Sequence, residues 1–259
     1  MIRLLLETAT DVCSVAVAKG DLILAEHTAE EPHQHSSHLT LFIERVMAEA
    51  GVKMTDLDEV VLSDGPGSYT SLRVGAATAK GLCLALPGLK LRVVPTLKSL
   101  AMACSHDGLV LATIKSRKGE VFGQLFGARP PSSVPRRGPD SVGAQVQSGV
   151  NGKVGIPEGL HPLFLSPQNI RLTEEGWLER ITDIAGSRIN LSGPGQQRVQ
   201  DHLPEGTEFK AFGPEQCSAN LLLAPACSPD HSRLVDVATY EPFYLNPPFV
   251  TKSKKKLLG

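Results

Sequence analysis

The feature that most constrains the fold is a change of period about thirty residues into the chain. "IRLLL" (2–6), "CSVAVA" (13–18) and "LILAEHTA" (22–29) are short apolar runs, and a turn centred on Gly20 separates the last two. Such runs joined by tight turns predict a three-stranded meander. After Pro32 the spacing changes. Leu39, Phe42, Ile43, Val46, Met47 and Ala50 recur three and four apart, which is one face of a helix. Ser36 or Ser37 is the expected N-cap and Gly51 the stop. A strand over 57–63, a helix over 71–86 closed by Pro87 and Gly88, a strand over 89–95 and a helix capped by Thr96 follow. Strands in a meander and then alternating with helices call for a mixed sheet covered by helices.

A second strand pair, "LVLATIKS" and "EVFGQLF", turns at Arg117 to Gly119 and opens a second unit. The two meanders hint at a duplicated topology. "ARPPSSVPRRGPD" (128–140) carries four prolines and three arginines, which exclude helix and central strand and leave an exposed loop. Helical spacing returns through Trp177, Ile181 and Ile184, and "RINLSGPG" (188–195) reads as strand then turn. Past Phe212 the pattern says little. The expected division is a first domain over 1–105, a second over 106–245, and a basic tail over 246–259 carrying Lys252, Lys254, Lys255 and Lys256.

The 259 residues have a formal net charge of -1, which excludes a globally basic nucleic-acid binder but not a local basic patch. No apolar run approaches the roughly 18 residues of a membrane-spanning helix, so no membrane partner is expected. Five scattered cysteines without a C-x-x-C pair, behind no signal-like leader, read as reduced cytoplasmic thiols.

Four segments invite a chemical reading. "SDGPGSYTSLRV" (63–74) is not a Walker A motif, since Thr70 stands five residues after Gly65, and it lacks the third glycine of a dinucleotide fingerprint. It offers a strand, a turn and a helix start, whose free N–H groups suit an anion. Ser68, Thr70 and Ser71 serve equally to cap that helix, and capping is the commoner use. The helix holds Gly75, Ala76, Ala77, Ala79, Gly81 and Ala85. Each interior glycine costs about 1 kcal/mol against alanine, so close packing on its own sheet, or against a partner's helix, should offset it. Glu7, Thr8 and Thr10 lie in the turn after the first strand, where they form either an ordinary polar turn or a holder for a metal-bound phosphate. His33, His35 and His38 lack an H-x-x-x-H pair, and a polar helix start outweighs a metal site there. The lysine tail, with Arg129, Arg136 and Arg137, is either a solvated surface or a contact for RNA phosphates.

"LLLETATDVCSVAV", "HSSHL", "GPGSYTSLRVGAATAKGLCLA" and "VVPTLKSLA" come in an order and spacing that resemble the TsaB (YeaZ) family over about residues 2–104. The likeness continues weakly in "SRKGEVFGQLF" and "PFYL". It implies an α/β, actin-like (ASKHA, ribonuclease H-like) fold of two related domains, each with a mixed sheet flanked by helices. It also implies a non-catalytic subunit serving synthesis of threonylcarbamoyladenosine beside the anticodon of tRNA. The implied partners are a TsaD-type catalytic subunit, a TsaE-type ATPase, a second copy of the chain when alone, and tRNA only indirectly through the complex. On that reading the partner-binding residues are Leu39, Phe42, Ile43 and Val46 from the first helix and Leu72, Gly75, Ala76, Ala79 and Cys83 from the second. Gly75→Leu is then expected to weaken association while leaving the fold intact. No catalytic residue, metal or cofactor of its own is expected. ATP or ADP at the partner interface stays open, with Glu7, Thr8, Thr10, Ser68 and Thr70 as its candidate anion-binding residues.

This chain departs from the family where Glu7 replaces the usual Asp, Ser71 the usual Gly, and Lys115 an Asp. In actin-like kinases such acidic positions attend metal and phosphates, so Lys115 argues against an autonomous ATPase. The H-x-x-x-H implied for the catalytic relative is missing. The competing reading is an actin-fold ATPase or kinase acting through Glu7, Thr8 and Thr10.

Overall fold

The apolar run near the start is a strand buried on both sides. In β1 (Ile2–Glu7), Leu4 and Leu6 join one core while Leu5 joins another, and none of the three is exposed. A strand covered on both faces needs no polar alternation. The computed structural model describes residues 1–29, 35–104, 108–128, 160–162, 166–185, 188–207 and 209–246. The expected proline-rich loop from 129 onward, His33 and the lysine tail lie outside them, as do the side chains of His35, Ser36 and Ser37.

The meander forms as expected: β2 (Ser14–Lys19) pairs antiparallel with β1 and with β3 (Leu22–Thr28). On the other side of β1, β4 (Glu59–Ser63) and then β5 (Lys90–Val94) run parallel to it. Helices α1 (His35–Glu49) and α2 (Tyr69–Ala85) share one core with the near face of this sheet.

The second sheet repeats this plan. β6 (Leu109–Lys115) pairs antiparallel with β7 (Glu120–Ala128), which carries β8 (Leu160–Pro162) and β9 (Gln168–Arg171). On the far side of β6 lie β10 (Ile189–Ser192) and β11 (Phe209–Ala211), both parallel to it. The orders β5-β4-β1-β2-β3 and β11-β10-β6-β7-β8 therefore match strand for strand, in direction as well as position. This is the actin-like arrangement of two related domains. Helix α4 (Trp177–Ala185) and Val199 of α5 (Gln196–Gln200) cover the outer face of the second sheet.

Two departures from the expected domain division concern the layer between the sheets. Helix α3 (Thr96–Met102) belongs by sequence to the first domain, yet its Leu97, Leu100 and Met102 pack with Ala112, Ile114 and Phe126 of the second sheet. Conversely, a 3-10 turn (Ala219–Leu222), α6 (Leu223–Ala226) and β12 (Arg233–Val235) return to the first domain. Leu222, Leu223 and Ala226 cover Leu5, Val61 and Val94, and β12 pairs antiparallel with β5. The apolar face that β1 and β4 turn away from α1 and α2 needs a cover, and the later chain supplies it.

Glu59 ties these strands together. Its carboxylate accepts from Arg3 Nε at 3.0 Å and from Arg92 Nε and Nη2 at 3.0 and 2.8 Å, and Arg92 also donates to Ser232 Oγ.

The expected caps need correction. α2 starts at Tyr69, with Ser68 at the N-cap position, but the Ser68 hydroxyl accepts from Ser71 Oγ at 2.9 Å and makes no bond to the helix backbone. Thr96 lies inside α3, after Pro95, and its hydroxyl accepts from the Gly65 N–H at 3.1 Å. Both hydroxyls are committed to neighbouring groups instead of to their own helix ends.

Candidate functional site

The duplicated plan places two Gly-Pro-Gly loops on equivalent strands, Gly65 to Gly67 after β4 and Gly193 to Gly195 after β10. Gly65 (φ +105°) and Gly193 (φ +98°) adopt backbone that side-chain-bearing residues rarely take. A Cβ at either would also strike a carbonyl oxygen, of Phe243 and Thr113 respectively. Between the two halves lies a cleft of about 420 Å³. The first domain contributes Thr10 from the β1–β2 turn and Ser68 from its loop. The second contributes Lys115 and Arg117 from the β6–β7 hairpin, with Glu215 and Asn246 completing the rim.

Of the five expected anion-binding residues, the structure brings only Thr10 and Ser68 to this cleft. Thr70 is exposed on the first turn of α2 and lies off the cleft lining. Glu7 and Thr8 are buried behind it, at 1% and 0% exposure. Glu7 Oε1 accepts the Ala9 N–H at 2.7 Å. Burial raises its pKa to about 7, against the opposing hydrogen bonds from Ala9 and Ser63. Burial, with Glu7 nearby, likewise pushes the Cys13 thiol up to about 12 and the Cys217 thiol well above its usual value. All five cysteines are free. Among the described residues no group of three or more His, Cys, Asp or Glu side chains is placed to hold a metal ion. Glu7 is thus a desolvated carboxyl that accepts a backbone N–H, raises two buried thiols electrostatically, and lies off the cleft lining.

The residues expected to bind a partner need the plainest correction. Leu39, Phe42, Ile43 and Val46 of α1 are buried in this chain's own core, together with Ala76 and Ala79 of α2, and Cys83 packs at its edge. Leu72 is 1% exposed. Gly75 faces inward, and a Cβ there would run into Thr8 Oγ1 and lie 3.1 Å from Leu62. The sequence period identified a real apolar face, but that face serves the sheet beneath it. The exposed side of the pair carries Leu41 (52% exposed) on α1 and Leu84 (77%) on α2, with Ala77, Gly81 and Ala85 also exposed on α2. A Cβ at Gly81 would meet nothing within 4 Å. The signal that could have found this surface is a leucine falling off the main apolar stripe of each helix.

The C-terminal segment braces the site. Asp64 accepts from Arg233 Nη2 at 3.0 Å and from the Tyr240 hydroxyl at 3.1 Å, and its carbonyl accepts the Phe243 N–H at 2.8 Å. Lys80 of α2 donates to the Tyr240 carbonyl at 2.7 Å, and the rings of Tyr69 and Tyr244 sit 4.7 Å apart. Asn246 then reaches Ser116 Oγ on the second hairpin at 3.4 Å. Sequence reasoning missed this brace because every contact spans well over a hundred residues.

Known proteins resemble the chain in two ways. The family model for TsaD, tRNA N6-adenosine threonylcarbamoyltransferase, matches residues 23–126. The tRNA threonylcarbamoyladenosine biosynthesis protein TsaB of Escherichia coli (strain K12) is 31% identical over 121 residues, 46% of this chain and 52% of that protein. The TsaB of Haemophilus influenzae is 33% identical over 125 residues, 46% of this chain and 51% of that protein. The chain thus spans about half the length of the curated relatives it matches. The solved structure of YeaZ from Pseudomonas aeruginosa covers 94% of this chain and 99% of its own at 21% identity and a TM-score of 0.62, a likeness of fold. Over roughly half its length the chain is thus similar in sequence to TsaB proteins, and over nearly its full length similar in fold to YeaZ.

Proposed function

We propose that this TsaB-like chain is a non-catalytic subunit in the synthesis of threonylcarbamoyladenosine on tRNA, and that it holds a TsaD-type catalytic subunit through the outer face of α1 and α2. The observation that carries the reading is the exposure of Leu41 and Leu84 on adjacent helices whose inner faces are already fully used. Burying one such leucine is worth about 1.5–3 kcal/mol, and Ala77, Gly81 and Ala85 present little bulk to an approaching helix. The curated relatives are threonylcarbamoyladenosine biosynthesis proteins, which suggests the pathway, and the TsaD-type family match spans the region containing both helices.

The non-catalytic part of the reading draws on the cleft. Its wall carries Lys115 where a metal-binding carboxylate would be needed, and Glu7 is sealed behind it. Without the catalytic subunit, a second copy of the chain is the natural occupant of the α1–α2 surface. A TsaE-type ATPase, with ATP or ADP, joins at the assembled interface, and tRNA is met through the complex in the cytoplasm. Among the described residues no helix is long and apolar enough to cross a membrane.

The test is calorimetry of the purified chain against a TsaD-type subunit. Leu84→Glu and Leu41→Glu should each weaken association at least ten-fold while melting temperatures stay unchanged. Unchanged affinity in the double variant overturns the placement. Magnesium-dependent phosphate release by the chain alone, abolished by Glu7→Gln, would support the kinase reading instead.

A further inference from the structure

We propose that the open cavity beside the β6–β7 hairpin is a binding site for phosphate groups, such as those along an RNA strand. The cavity has a volume of about 610 Å³ and stands apart from the α1–α2 surface. Lys115, Lys118, Arg198 and His202 line it, against a single carboxylate, Asp201. That carboxylate accepts from Gln197 Nε2 at 2.8 Å, and among the described residues neither Lys115 nor Lys118 has a carboxylate partner. Two ammonium groups and a guanidinium around one void create a local positive potential that the chain's overall charge of -1 conceals.

The hairpin that carries the lysines is fixed in place. Arg198 Nη1 donates to the carbonyl oxygens of Ser116, Arg117 and Glu120 at 3.2, 2.7 and 2.8 Å. The Leu172 N–H donates to Gly119 O at 2.9 Å, and Asn246 holds Ser116 from the other side. A guanidinium engaged by three carbonyls keeps its charge under the cavity while serving as a structural clamp. Lysines on a braced turn lose less freedom on binding than lysines on a loose one. Thr173 and Gln197 add uncharged hydrogen-bonding groups to the rim. Lys115 also faces the cleft between the domains, so the positive surface continues past the hairpin. Several cations around an open void suit a multiply charged phosphoester better than a lone carboxylate. The cavity's openness suits a strand passing through.

The inference does not depend on the subunit role proposed above. Fluorescence anisotropy of the full chain with a labelled single-stranded RNA of about 20 nucleotides, between about 50 and 200 mM salt, tests it. Lys115→Ala/Lys118→Ala should weaken binding about ten-fold and lower the salt slope by roughly 1.4, the value for two phosphate contacts on a single strand. Lys53→Ala/Lys90→Ala, which removes the same charge from the first domain, should change neither. A second arm titrates AMP by calorimetry. If AMP binds in a lysine-dependent way while RNA does not bind, the phosphate site stands and its source is a free phosphoester. If the hairpin and control variants weaken RNA binding equally and AMP does not bind, or if neither ligand binds at all, the proposal is overturned. Both lysines are exposed, so the variants should melt with wild type. Lys118→Gln provides a milder check.

Discussion

Thr8, just past the end of β1, and Gly75 on α2 are in direct contact: the space a side chain at 75 would fill is already taken by the Thr8 hydroxyl, which is buried and makes no hydrogen bond among the described residues. This contact sets how closely α2 approaches the sheet. Gly75→Ala should therefore destabilise the chain itself by about 1–3 kcal/mol through overpacking. Thr8→Ala should cost little alone, because its hydroxyl has no partner to lose. The double variant should recover most of the loss, giving a coupling energy of about 1 kcal/mol or more in denaturant titrations. Additive effects would show that the approach is set elsewhere.

Gly81, six residues further along the same helix and on its outer side, behaves in the opposite way. It is exposed, and a Cβ there meets open space. Gly81→Ala should stabilise the isolated chain by about 0.5–1 kcal/mol. A melting experiment should show a rise of roughly 2 °C.

Glu7 predicts a pH dependence. Its folded pKa, raised to about 7 by burial, lies above that of the unfolded chain. Between pH 4.5 and 7 the folded state therefore holds a proton that the unfolded state has released, and stability falls as pH rises through that window. The loss from this residue is complete above pH 7 and amounts to roughly 3 kcal/mol. Glu7→Gln keeps an acceptor for the Ala9 N–H and should flatten the profile. Urea titrations at pH 5 and pH 8 check this: the variant should gain most over wild type at pH 8, and an equal difference at both pH values would refute it.

Glu59 should show the reverse trend. Burial opposes its ionisation, but the hydrogen bonds and charges of Arg92 and Arg3 outweigh burial and hold its pKa below the usual range. Its contribution is present above the unfolded pKa and lost as pH falls through the folded one. Glu59→Ala would leave two largely buried guanidinium groups uncompensated, at a cost of about 3–5 kcal/mol in a denaturant titration. Replacing Arg3 and Arg92 with methionine in the same variant should restore part of it.

The first sheet was legible because its strands are continuous apolar runs and its turns carry glycine or proline. The inward face of α1 was legible from its period. The direction of α2 was not, since a helix of glycine and alanine looks much the same on every side and only its neighbours in the fold, Thr8 and Leu62, distinguish Gly75 from Gly81. The second Gly-Pro-Gly at 193–195 was visible, but its kinship with the first becomes clear only once β10 is seen parallel to β6. The brace on Asp64 depends on Arg233 and Tyr240, over 160 residues away, and no local pattern announces such a contact.

The return of β12 to the edge of the first sheet has a consequence for synthesis on the ribosome. When β5 emerges, its outer backbone edge has no neighbour, and it waits through some 140 further residues for Arg233 to Val235 to arrive. The face of β1 and β4 that α6 covers waits longer still, since both strands precede β5 in the chain. The first domain to be translated is therefore among the last to be finished. Until then its exposed strand edge is the part of the nascent chain most in need of protection by a chaperone.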